Sequence, residues 1–105
     1  MTMPYETDLI EAPEMNVVAA VRMMFEDEPK NRFVIVELST SGDWRYIVLD
    51  GDGGKRTAAY PTSLEAGIAL GILQSLLREP TDVIFTAIVD LDRSCLTNAR
   101  CHAAR

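Results

Sequence analysis

Residues 61–79, PTSLEAGIALGILQSLLRE, constrain this chain more than any other stretch. Thr62 stands three residues before Glu65. At that spacing a hydroxyl accepts from the third helical amide while the carboxylate reaches back to the cap amide. A helix therefore starts here. At about 100° per residue, Leu64, Ala66, Ile68, Ala69, Leu70, Ile72, Leu73, Leu76 and Leu77 spread over roughly two thirds of its circumference. Gly67, Gly71, Gln74, Ser75 and Arg78 form the remaining strip. One sheet face covers about half of a helix, so a second surface, from the same chain or from a partner, is expected against this one.

The 105 residues fit one domain, and 48% hydrophobic with 25% charged residues is a globular balance. The net charge of −6 is concentrated at one end. Up to residue 28 there are seven acids (Glu6, Asp8, Glu11, Glu14, Glu26, Asp27, Glu28) against Arg22 alone, and beyond it the charges cancel. Such a field repels phosphate backbones, which makes direct nucleic-acid binding an unfavoured reading. It either keeps the molecule solvated or favours a basic partner. No basic segment leads into an apolar run near the start, and the oily helix is too short for a membrane span, so a reducing cytoplasm is the expected setting, with Cys95 and Cys101 as free thiols.

Along the chain, residues 1–12 have no sustained period and read as an irregular arm. From Pro13 to about Asp27, Val17, Val18, Val21, Met24 and Phe25 share a stripe and predict a surface helix, with Met15 and Met23 off the stripe as candidates for contact. Residues 32–40, RFVIVELST, and 44–50, WRYIVLD, predict a hairpin turned at Ser41, Gly42 and Asp43. Lys55 to Tyr60 reads as a third strand, placed at a sheet edge because Ala58 and Ala59 are small. Val83 to Asp92, VIFTAIVDLD, predicts an interior strand, and residues 93–105 a polar tail. The expected fold is α+β, order α-β-β-β-α-β: a four-stranded sheet with two helices on one face. A parallel last strand would make its crossover right-handed.

Motifs that could carry chemistry are weak. Counted from Asp50, a calcium loop would need an oxygen ligand, a glycine and an acid where Gly54, Lys55 and Pro61 stand. The same glycines, followed by Lys55 and Arg56, lack the pattern of a phosphate-binding loop. Cys95, Cys101 and His102 offer three zinc ligands with no second histidine to complete a set of four. No catalytic residue, cofactor or metal is expected from these.

The order helix, three strands, helix resembles a double-stranded-RNA-binding domain, and residues 62–71 have the alanine- and glycine-rich look of that family's second helix. Thr62, Ser63, Leu64 and Glu65 stand where that family has its basic cluster. Thr62, Ser63, Leu64, Glu65 and Ala66 are also similar to the T-L-E-E-A-like helix opening of HicB-type antitoxins. Neither likeness covers enough of the chain to identify a family.

The expectation is a non-enzymatic acidic interaction protein, homodimeric, with a small inhibitor of phage or mobile-element origin acting on a basic partner as one setting. The alternative is a small ligand- or metal-binding enzyme using the residue 51–54 turn or the Cys/His group. The candidate interface consists of Gly67, Gly71, Gln74, Ser75, Ile72 and Leu76 on the oily helix. Met15 and Met23 on the first helix join it, with the acids Glu26, Asp27 and Glu28.

Overall fold

The computed structural model describes residues 6–11, 16–51, 53–76 and 83–101. In chain order the elements are β1 (Glu6–Leu9), α1 (Val17–Met24), β2 (Phe33–Ser39), β3 (Trp44–Gly51), β4 (Gly54–Thr57), β5 (Ala59–Tyr60), α2 (Ser63–Leu76), β6 (Val83–Asp90) and β7 (Cys95–Cys101). The fold is predominantly β. A seven-stranded antiparallel sheet replaces the expected four-stranded one, with the path β1-β3-β2-β6-β7 and with β4 on β3 and β5 on β2.

Two of the added strands come from segments read as an arm and a tail. β1 pairs with β3, and β7 pairs with β6. Neither announces itself by apolar alternation, because an edge strand is held by backbone bonds along one side and leaves most of its side chains in water.

The third correction concerns residues 54–60, which lie inside the sheet. β2 and β3 pair from Leu38↔Trp44 to Val36↔Tyr46 and then diverge. β4 runs up into the fork along β3, and β5 runs back down along β2. Ala58 is the apex: its amide donates to the Ile47 carbonyl at 2.8 Å and its carbonyl accepts from the Ile35 amide at 3.0 Å. Ala58 and Ala59 are small because they are enclosed, at 0% and 5% exposure.

The helices lie on opposite faces, not on one. Val34 and Val36 of β2, with Ala87 and Val89 of β6, pack against Val17, Val18, Val21 and Phe25 on the α1 side. The alternate residues Ile35, Ile47 and Ile88 pack against Ala66, Leu70 and Leu73 of α2. Topology explains the arrangement. β1 and β2 run parallel with β3 between them, and β5 and β6 run parallel with β2 between them, so each helix is a crossover. Both crossovers advance in the same direction across the sheet, but they start from strands of opposite sense. A common hand then requires opposite faces. β6 itself is antiparallel to β2.

Local chemistry fastens these elements. Asn16 Oδ1 caps α1 by accepting from the Val18 amide at 2.9 Å. Arg22 Nη2 donates to the Leu91 carbonyl at 3.0 Å and to Ser94 Oγ, tying α1 to the β6–β7 turn. Within that turn Asp90 Oδ1 accepts from the amides of Asp92 and Arg93. Trp44 and Phe85 meet edge to face at 5.7 Å on the α1 side.

Candidate interaction surface

α2 starts as its sequence implies. Thr62 Oγ1 accepts from the Glu65 amide at 3.2 Å, and the Glu65 carboxylate accepts from the Thr62 hydroxyl at 3.1 Å, so the reciprocal bond uses the hydroxyl instead of the cap amide. Ala66, Leu70 and Leu73 are buried against the sheet. On the flanks, Gln74 Nε2 donates to Thr86 Oγ1 at 3.0 Å, and Gly67 lies near Asn98 of β7. Directly opposite the buried arc, Leu64, Ile68 and Ile72 are 72%, 58% and 59% exposed. They fall at i, i+4 and i+8, one line along the outer side of the helix.

The molecule's own sheet therefore covers close to half of the helix, with Ala69 half-buried at the border, and Leu64, Ile68 and Ile72 face outward. Glu65 is the one charged residue from Ser63 to Leu76. Gly71 borders the exposed line, and among the described residues a Cβ added there would meet nothing within 4 Å.

The expected interface residues are only partly brought together. Ile72 and Gly71 lie on the outer side, whereas Gln74 and Gly67 turn toward the molecule's own sheet. Leu64 and Ile68 complete the exposed line and were not among the expected interface residues, although their i, i+4 spacing from Ile72 was visible. Ser75 and Leu76 end the helix with side chains outside the described residues, as is all of Met15. Met23 is 72% exposed, and Glu26, Asp27 and Glu28 are exposed in the turn after α1. That group belongs to the α1 side, so it and the α2 line do not form one continuous face.

A feature that sequence reading missed is buried charge. Glu37 of β2 is 1% exposed, and its Oε2 lies 2.6 Å from Arg45 Nη2 on the directly opposite residue of β3. Glu37 is in phase with Ile35, the α2 side of the strand, which was the available signal. Thr86 of β6 faces Glu37 from the other side and is also buried.

The other chemical candidates are engaged structurally or fall outside the described residues. Lys55 Nζ holds the Glu6 carboxylate at 2.8 and 2.9 Å. Gly51 and Gly54 close the β3–β4 hairpin, with Gly54 at φ 105°, while Asp52 lies outside the description. Cys95 is a half-buried thiol, and the Cys101 side chain and His102 lie outside the description. Among the described residues no three His, Cys, Asp or Glu converge to hold a metal ion. Burial pushes the Tyr60 hydroxyl up, burial and then Asp8 push Tyr46 up, and Glu6 pushes Lys55 up. All three shifts lead away from neutrality. No helix among the described residues is long and apolar enough to cross a membrane.

The chain matches no protein-family model, no curated protein and no solved structure.

Proposed function

We propose that this chain is a non-enzymatic interaction protein that docks a protein partner on the outer face of α2. The observation that carries this reading is the exposure of Leu64, Ile68 and Ile72 in one line on a capped helix. Three large aliphatic side chains more than half exposed in one line, each contributing roughly 1–2 kcal/mol on burial, give this face of the described residues much to gain from contact. The acidic group around Glu26, Asp27 and Glu28 lies on the other side of the sheet. There it solvates the molecule or steers a basic partner without being the contact itself.

The test is affinity capture with wild-type chain, Ile68→Glu, and a triple change of Glu26, Asp27 and Glu28 to lysine, each first shown folded by circular dichroism. A partner, another copy of the chain included, that wild type retains and Ile68→Glu loses supports the reading. An identical set of captured proteins on both would count against it. Loss on the triple variant alone would move the contact to the α1 side.

A further inference from the structure

We draw no further inference here: the strongest candidate, the exposed apolar line of Leu64, Ile68 and Ile72 along the outer face of α2, carries nothing beyond the docking role already proposed, because nothing in the structure shows what covers it.

Discussion

Gly71 shows how one residue can limit the stability of a helix. Among the described residues no neighbour lies within 4 Å of a Cβ built there, so Gly71→Ala meets none of them and removes a helix-interior glycine. The subunit should gain about 1 kcal/mol, a rise in Tm of about 4–8 °C, measured by thermal unfolding at concentrations low enough to keep the chain monomeric. Glu37 and Arg45 teach the opposite lesson. A carboxylate at 1% exposure costs much to desolvate, and the guanidinium 2.6 Å away offsets that cost. The strand pattern around Glu37 was legible, but its burial was not, because periodicity reports which face a residue takes and not what roofs that face.

At the scale of elements, the fork between β2 and β3 is the least expected part of the fold. A two-residue strand, an apex alanine and a four-residue strand have too few positions for a periodic signal. They were readable only as one weak strand with undersized residues. The structure reverses the inference from those alanines: small side chains mark an enclosed apex where two strands and α2 converge. Ala58→Leu would force extra methylenes into a site with 0% exposure and should cost about 1–3 kcal/mol or more, read as a fall in the denaturation midpoint. The helices, by contrast, were legible in outline. Apolar spacing located both and the Thr62 cap fixed the start of the second; α1, expected from Pro13 to about Asp27, is observed as Val17–Met24 behind an Asn16 cap, and α2 as Ser63–Leu76.

The whole molecule is a sheet carrying one helix on each face, and that arrangement separates its two surface features. The acids after α1 and the oily line on α2 lie on opposite sides, so each has its own dependence on salt. A partner docked on the uncharged line of Leu64, Ile68 and Ile72 would be held by apolar burial, so raising ionic strength from about 0.01 M to about 0.15 M, which shortens the screening length from ~30 to ~8 Å, should leave its affinity nearly unchanged in a titration. A basic partner held by Glu26, Asp27 and Glu28 would weaken over the same range. The size of the salt effect tells the two contacts apart.

Amino-acid order alone determined that residues 62 onward form a capped helix with apolar side chains over roughly two thirds of its circumference, that β2, β3 and β6 are strands, and that charge crowds one end. These properties are local: capping, side-chain spacing and composition are complete within a dozen residues. Tertiary structure decided that the sheet has seven strands, that its helices oppose each other, and that Leu64, Ile68 and Ile72 are the large apolar side chains of α2 left facing water among the described residues. Each of those outcomes depends on pairing between segments distant in the chain, where backbone bonds to edge strands and the shared hand of two crossovers outweigh anything a short window of sequence can express.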